Sequence, residues 1–167
     1  MELKAQTRLD FPRDLVFRTY RDKLPELTAY LPNVSSIVVK DRRDDGPRTK
    51  LVNLWTAKTE IPAAAQKFVK PEMLMWHDHA EWDETGWVCH WRIETLAFTE
   101  AVECRGRTVY TAVGDRTDLD ISADLVLHLD KAKVPRLLAG TVKPVIERIV
   151  VSNLKPNLLA TGEGIAK

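Results

Sequence analysis

The amino-acid sequence predicts an α+β fold: a curved, seven-stranded antiparallel sheet with two short helices after strand one and a long C-terminal helix. Apolar and polar residues alternate with the period of a strand over much of residues 3–129. Helical patterns replace this alternation directly after the first strand and again at the end of the chain. The long terminal helix is expected because the apolar face of such a sheet has to be covered.

The closing helix is predicted over Val134–Ile165. Pro135 suits a first helical turn, whereas Gly162 and Gly164 mark the end. At about 1.5 Å per residue, a helix of about 25 to 30 residues spans about 40 Å, enough to cross the sheet. Two internal prolines predict bends. The apolar stripe has three- and four-residue spacing and consists of Val134, Leu138, Val142, Val145 and Ile149.

Composition predicts one domain, residues 1–167, because 167 residues that are 44% hydrophobic suffice for a substantial core. The formal net charge is only +1, which disfavours a nucleic-acid partner. Neither a signal peptide at Met1–Ala5 nor an apolar run of membrane-spanning length is present, so we expect a cytoplasmic protein with at most peripheral membrane contact. Cys89 and Cys104 are expected to be buried thiols.

The first part of the chain predicts a strand, two short helices and a hairpin. Turn formers at Asp44–Pro47 connect the two hairpin strands. In order, these elements are a strand at residues 3–9, a helix that begins at Phe11–Asp14, a helix from Pro25 to Leu31, and strands at Ile37–Val39 and Leu51–Ala57. A further short helix, Pro62–Phe68, would form a flap over one end of the sheet.

A long hairpin is predicted in the middle of the chain, with Met73–Asp83 and Trp87–Glu94 as its strands. If Trp82 faces Trp87, apolar and polar residues separate onto two faces, and His79 lies directly opposite His90. A bulged turn would shift this register. The apolar face then consists of Trp76, Asp78, Ala80, Trp82, Trp87, Cys89, Trp91 and Ile93. Two further long strands, at residues 102–112 and 119–129, complete the sheet.

Asp78 is the most informative polar residue, since the predicted register places its carboxylate among tryptophans. Uncompensated burial would be costly or would raise its pKa. Asp78 would then orient a ligand hydroxyl or act as a general acid or base. The alternative is a structural role in which Asp78 pairs with a tryptophan indole, Thr108 or Tyr110, or with Arg92 after a register shift. The five tryptophans likewise either form an aromatic core or line a ligand cavity, and both can hold together.

Three histidines, His77, His79 and His90, lie on the opposite face of the predicted hairpin. Imidazoles on adjacent strands can hold zinc at Zn–N distances of about 2.0 to 2.1 Å. No inward pocket would surround these three, so we interpret them as part of a solvated outer face. The sequence therefore predicts neither a metal nor a cofactor.

The order of strand, two short helices, six strands and long helix resembles the START-like superfamily, also called the Bet v 1-like or SRPBCC helix-grip fold, over essentially the whole chain. Leu9–Phe17 looks like the strand-to-helix opening of many bacterial members, and Tyr30–Val34 looks like their approach to strand two. Pro62–Pro71 is similar to the short flap of PRELI-type phospholipid-transfer proteins. The chain lacks the Cys and His pairs of a Rieske cluster. It has only Gly46 where plant allergens of this fold have a glycine-rich loop.

This resemblance implies an apolar cavity between the sheet and the long helix. We therefore expect carriage or sensing of a hydrophobic small molecule: a lipid, fatty acid, isoprenoid or aromatic polyketide. An enzyme of the polyketide cyclase or dehydratase kind would use the same cavity, with Asp78 and Tyr110 as proton-transfer groups. A protein-interaction module of the chaperone-activator kind would have a filled core and an exposed apolar patch. The candidate ligand-binding residues are Trp55, Phe68, Trp76, Asp78, Trp82, Trp87, Trp91, Tyr110, Leu138, Val142, Val145 and Ile149.

Overall fold

The computed structural model describes residues 1–58, 70–97 and 99–128. They form one seven-stranded antiparallel sheet in the order β1-β7-β6-β5-β4-β3-β2. The strands are β1 (Glu2–Leu9), β2 (Val34–Asp45), β3 (Arg48–Ala57), β4 (Met75–Asp83), β5 (Val88–Thr95), β6 (Val102–Val113) and β7 (Arg116–Leu127). The helices are α1 (Arg13–Asp22) and two 3₁₀ helices, Glu26–Tyr30 and Pro71–Leu74. None of the helices in this part of the chain has the length and apolar content needed to cross a bilayer.

The predicted sheet is confirmed, as are the two short helices that follow strand one. The predicted closing helix Val134–Ile165 lies outside the described residues. So do the flap Pro62–Phe68 and the candidate ligand-binding residues Phe68, Leu138, Val142, Val145 and Ile149. The observed sheet forms one layer of the fold, and α1 and the apolar clusters pack on its inner face.

Tight turns join neighbouring strands where glycine permits a positive φ. Gly46 has φ +56° between β2 and β3, and Gly114 has φ +60° between β6 and β7. A side chain at either position would strain the backbone. The first strand instead pairs with the last, with Leu3 opposite Ala123, so the N-terminal segment completes the far edge of the sheet.

The helix α1 packs its buried face on the inner side of the sheet. Val16 and Phe17 are fully buried. The Phe17 ring makes edge contacts with Trp82 and Tyr110, both at 5.1 Å between ring centroids, and with Trp87 at 5.3 Å. Edge-to-face packing at this distance is favourable beyond the burial of area. This end of the inner face is therefore a filled aromatic core.

Two smaller apolar clusters lie elsewhere on the sheet. One forms where the first 3₁₀ helix covers the start of β2, and Trp55 packs against it. Its buried residues are Leu24, Leu27, Leu31, Val34 and Ile37. The other contains Val102, Cys104 and Leu125, with Trp91 and Ile93 packed against them. Both cysteines are buried free thiols, as predicted.

The hairpin of β4 and β5 has the predicted faces but a different register. Trp82 pairs with Cys89 rather than facing Trp87, and His79 pairs with Arg92, so the predicted His79–His90 pair is wrong. Trp87 belongs to the turn, where it adopts φ +50°, and the Asp83 carboxylate accepts the backbone N–H of Thr85 at 2.9 Å. The turn is therefore longer than expected. Because side chains alternate with a period of two, this two-residue shift leaves both faces unchanged.

Candidate ligand-binding site

Polar side chains occupy the inner face of the sheet between its aromatic and aliphatic clusters. Asn53 on β3 lies directly opposite Asp78 on β4. The next pair on the same face of these strands is Trp55 and Trp76, and Trp76 in turn lies opposite Thr95 on β5. Strand alternation thus places four polar groups on one face. We call Asn53, Trp55, Asp78 and Thr95 the polar cluster.

Asp78 occupies the middle of the polar cluster. The Asn53 side chain, which is only 1% exposed, donates a hydrogen bond from Nδ2 to Asp78 Oδ2 at 3.3 Å. Burial raises the pKa of Asp78 to about 6, against the opposing influence of the Asn53 amide, the Trp55 indole and the charge of His79. Desolvation of the charged form is therefore the dominant effect on this carboxyl group.

Several buried polar atoms of this cluster lack partners. Among the described residues, none provides a hydrogen bond for Asn53 Oδ1, Trp55 Nε1 or Thr95 Oγ1. The Trp55 indole is close enough to lower the pKa of Asp78, yet its geometry falls short of a normal hydrogen bond. A buried group left unpaired costs about 1 to 3 kcal/mol. Together these atoms offer an acceptor, a donor and a hydroxyl that can do either.

An aromatic wall adjoins the polar cluster. The Trp55 and Trp76 rings are stacked, with centroids 5.8 Å apart and an interplanar angle of 20°. Both side chains are only partly buried. Wide apolar surface next to a few unpaired polar groups is the usual composition of a small-molecule site.

The other predicted tryptophans have different roles. Trp82 and Trp87 pack with Phe17 in the aromatic core. Trp91 lies between the two regions and donates a hydrogen bond from Nε1 to Thr108 Oγ1 at 3.2 Å. Of the five tryptophans, the structure places Trp55 and Trp76 beside Asp78, so the aromatic residues divide between a core and the wall of a candidate site.

Asp78 and Tyr110 do not converge, contrary to what the enzyme hypothesis requires. Asp78 lies in the same row of paired residues as Ile93 and Cys104. Tyr110 is six residues further along β6, which at about 3.3 Å per residue is about 20 Å. Its ring is 2% exposed and packs on Phe17. This offset along the strand disfavours a shared proton-transfer site for Asp78 and Tyr110.

The sequence interpretation missed Asn53 and Thr95. Asn53 alternates with Leu51 and Trp55 on β3, so its inward direction was available from the pattern. Thr95 lies at the last position of β5. The two-residue shift of the hairpin places it opposite Trp76, and this position could not be found without the correct register.

The three histidines do not share one cluster. His77 lies opposite Glu94, while His90 lies opposite Glu81 at the other end of the hairpin. A surface depression of about 530 Å³ on this outer face is lined by His79, Glu81, His90, Trp91, Arg92, Arg105, Gly106, Arg107, Ser122, Ala123, Asp124 and Glu2. Charges of both signs dominate its lining, so it is unsuited to an apolar molecule.

No protein-family model and no curated protein matches the sequence. Similarity is found among solved structures, where the protein TTHA0849 from Thermus thermophilus superposes with a TM-score of 0.71 at 19% identity, over 99% of this chain and 97% of that one. The Zhui aromatase/cyclase from a Streptomyces species gives a TM-score of 0.71 at 16% identity, over 99% and 93%. Norcoclaurine synthase from Thalictrum flavum gives 0.63 at 13% identity, over 100% and 87%.

These likenesses show the fold class: the described sheet and short helices have the arrangement of Bet v 1-like, or helix-grip, proteins. The predicted resemblance is thereby confirmed at the level of fold. Sites and activities are not transferred by fold alone, so function has to be argued from this chain's own residues.

Proposed function

We propose that this protein binds a hydrophobic small molecule on the inner face of its sheet, with a hydroxyl or similar group of the ligand held by the polar cluster. The observation that carries the proposal is a set of three buried atoms beside the Trp55–Trp76 stack that have no hydrogen-bond partner within residues 1–58, 70–97 and 99–128: Asn53 Oδ1, Trp55 Nε1 and Thr95 Oγ1. A ligand hydroxyl both donates and accepts, so it would satisfy two of these atoms at once.

The apolar part of the ligand would lie against the stacked rings of Trp55 and Trp76. Removal of apolar surface from water, at about 25 cal/mol per Å², would drive binding. The polar cluster would contribute orientation and selectivity, because an analogue without the hydroxyl leaves buried groups unpaired. Carriage or sensing of a lipid, fatty acid, isoprenoid or aromatic polyketide would follow from such binding. Structural similarity to the Zhui aromatase/cyclase supports this class of ligand at a coarse level only.

Binding of naphthol and naphthalene, followed by quenching of tryptophan fluorescence, tests the proposal. Both probes are flat and apolar, and only naphthol carries a hydroxyl. We expect naphthol to bind about tenfold more tightly, the equivalent of one well-formed hydrogen bond to a buried group. Asn53→Leu and Thr95→Val should each reduce this preference.

A matched control variant is Thr108→Val, which makes the same chemical change as Thr95→Val on the same face. The Thr108 hydroxyl already accepts a hydrogen bond from Trp91. Removal of this hydroxyl should therefore leave the preference for naphthol over naphthalene unchanged. Equal affinities of the two probes for the unmodified protein would refute the proposed role of the polar cluster. Absence of binding by either probe would refute the apolar site itself.

A second candidate is an enzyme of the polyketide cyclase or dehydratase kind, in which Asp78 alone transfers a proton. It is favoured by the raised pKa of Asp78, about 6, which is close to the value a general acid or base needs near neutrality. Asp78→Asn should then abolish turnover of a poly-β-ketone substrate while naphthol still binds. Retention of turnover by that variant would remove Asp78 from the chemistry.

The protein-interaction alternative lacks comparable support among the described residues. The exposed large hydrophobic side chains of the described residues lie on several elements, with only Val38 and Val39 adjacent in sequence, and they are Met1, Leu15, Val38, Val39, Met73, Val113 and Val126. An exposed apolar patch is the feature that such a module needs.

A further inference from the structure

The outer face of the β4–β5 hairpin brings two imidazoles and a carboxylate together. His77 and His79 lie two residues apart on β4 and therefore project from the same side. Glu94 lies directly opposite His77 on β5. One ligand atom from each of the three side chains lies within 4.8 Å of the others. We call His77, His79 and Glu94 the outer triad.

The outer triad depends on the observed hairpin register. In the register expected from the sequence, His79 would lie opposite His90, and Glu94 would not lie opposite either histidine of β4. The observed pairing places Arg92 opposite His79 and Glu94 opposite His77. The observed register thus brings the Glu94 carboxylate, rather than the His90 imidazole, next to the two histidines of β4.

We propose that the outer triad binds a divalent transition-metal ion through His77, His79 and Glu94. Zn²⁺ is the ion that best fits this set of ligands. Imidazole nitrogen and carboxylate oxygen bind zinc at about 2.0 to 2.2 Å in tetrahedral sites. Ligand atoms of such a site lie about 3.3 Å apart, a separation that follows from those bond lengths. Ligand atoms that lie within 4.8 Å of one another have to approach by at most about 1.5 Å to reach this separation.

Two contacts already pre-organise the outer triad. His79 Nε2 and Glu94 Oε2 are 2.7 Å apart, so these two ligand atoms already lie together, and a zinc ion would replace the proton that they share. The rings of His77 and His79 are 6.1 Å apart between centroids. The His79 side chain is 28% exposed and that of Glu94 is 38% exposed, so an ion can enter from solvent. Three protein ligands leave the fourth tetrahedral position for water.

Arg92 weakens the site but does not block it. Its guanidinium lies 3.5 Å from Glu94 Oε2 and competes with a cation for that carboxylate. The Arg92 side chain is 58% exposed, so it can move into solvent when an ion binds. Removal of this competitor by Arg92→Ala should therefore increase the affinity for zinc.

Isothermal titration of the untagged full chain with zinc chloride at neutral pH tests the proposal. One ion should bind per chain, and His77→Ala, His79→Ala and Glu94→Gln should each lower the affinity about tenfold or more. His90→Ala is the matched control, because His90 lies on the same face but opposite Glu81. His128→Ala is a second control, since His128 contacts only one further candidate ligand within the described residues, Glu103 at 2.9 Å.

Two results would overturn the site. The first is the absence of saturable zinc binding, and the second is an equal loss of affinity in His77→Ala and His90→Ala, which would indicate unspecific surface binding. The outer triad lies on the face opposite the polar cluster, so its variants should leave naphthol affinity unchanged. Failure of this proposal is thus separable from failure of the proposed ligand site.

Discussion

Asp78 is a carboxyl group that burial holds in its neutral form beyond the usual range of pH. Its pKa is about 6 in the folded protein, chiefly because of desolvation, whereas an unperturbed aspartate has a value of about 4. The unfolded chain therefore loses this proton first as pH rises. Stability is unaffected by Asp78 below about pH 4, falls between about pH 4 and 6, and stays reduced above that window.

Asp78→Asn should therefore stabilise the fold at neutral pH, because the amide needs no ionisation. We expect a gain of order 1 to 3 kcal/mol in the free energy of unfolding at about pH 8 and a smaller gain at about pH 5. Urea denaturation in the presence of EDTA, which removes any bound metal, measures both. A gain that does not depend on pH would contradict the raised pKa.

Asp118→Asn provides the contrasting control. Arg8 holds the pKa of the Asp118 carboxyl below its usual range through a hydrogen bond, and the pair is exposed. Its contribution to stability is present at neutral pH and is lost as pH falls through the lowered pKa. Asp118→Asn should therefore give no gain at about pH 8, in contrast to Asp78→Asn.

For single residues, the sequence predicted that the Asp78 side chain lies on the inner face, but it did not predict which residue would hydrogen-bond to it. Alternation along β4 is enough to place the carboxylate on the apolar face. The partner depends on which residues of the neighbouring strand lie opposite, and Asn53 is 25 residues away along the chain. Pairing across strands is a tertiary property, so pattern alone left a tryptophan indole, Thr108, Tyr110 and Arg92 as alternatives.

Among the secondary-structure elements, β6 contains Gly106, which lets the neighbouring strand and the Trp91 ring approach its backbone closely. A Cβ atom at this position would lie 2.5 Å from the Ser122 carbonyl oxygen on β7 and 2.6 Å from Trp91 Cζ2. Trp91 thus covers the glycine from the neighbouring strand, an arrangement known to support glycines within sheets.

Gly106→Ala should destabilise the protein by roughly 1 to 3 kcal/mol, because backbone and a packed indole both have to move. Thermal unfolding followed by circular dichroism measures the change. Gly86→Ala is the control: its nearest neighbour is a movable side-chain atom, Val88 Cγ1 at 3.3 Å. Equal losses in the two variants would show that steric contact at Gly106 is not the cause.

An ion pair connects α1 to the turn between β4 and β5. The Arg21 side chain is 13% exposed and contacts Glu84 Oε1 at 2.7 Å and Asp22 at 2.9 Å. Such a partly buried charge depends on its partners more than a solvated one does. The contact therefore helps to hold α1 over the aromatic core.

Glu84→Gln should lower the free energy of unfolding by about 1 to 2 kcal/mol, because Arg21 loses a charged partner. The matched control is Glu81→Gln, which breaks an exposed pair with Lys50 at 3.0 Å and should cost no more than about 0.5 kcal/mol. Urea denaturation of both variants gives the comparison. A larger loss in Glu81→Gln would contradict this assignment.

The elements themselves were largely predictable, whereas the turns between them were less so. Strands and their faces followed from alternation, which a two-residue shift does not alter. The β4–β5 turn was predicted too short because Trp87 was assigned to the strand. The Trp87 backbone has φ +50°, a conformation that residues other than glycine rarely adopt. Packing of Trp87 against Phe17, at 5.3 Å, offsets that cost.

For the molecule as a whole, the inner face of the sheet divides into two regions of different composition. The end under α1 is filled by Phe17, Trp82, Trp87 and Tyr110. The end formed by β3, β4 and the last residues of β5 carries the polar cluster and the Trp55–Trp76 stack. The sequence predicted the seven-stranded antiparallel sheet and the common face of the hairpin tryptophans. It could not predict this division, because that depends on where α1 docks.

Proton–nitrogen correlation spectra of the labelled protein, recorded during a titration with naphthol, test the central claim most directly. Each tryptophan gives its own indole N–H signal, assigned by single Trp→Phe variants. The account predicts that the Trp55 indole and the Asn53 side-chain amide shift as naphthol binds, while Trp82 and Trp87 keep their positions. Shifts confined to Trp82 and Trp87, or no shift at Trp55 and Asn53 at saturating naphthol, would contradict a ligand site at the polar cluster.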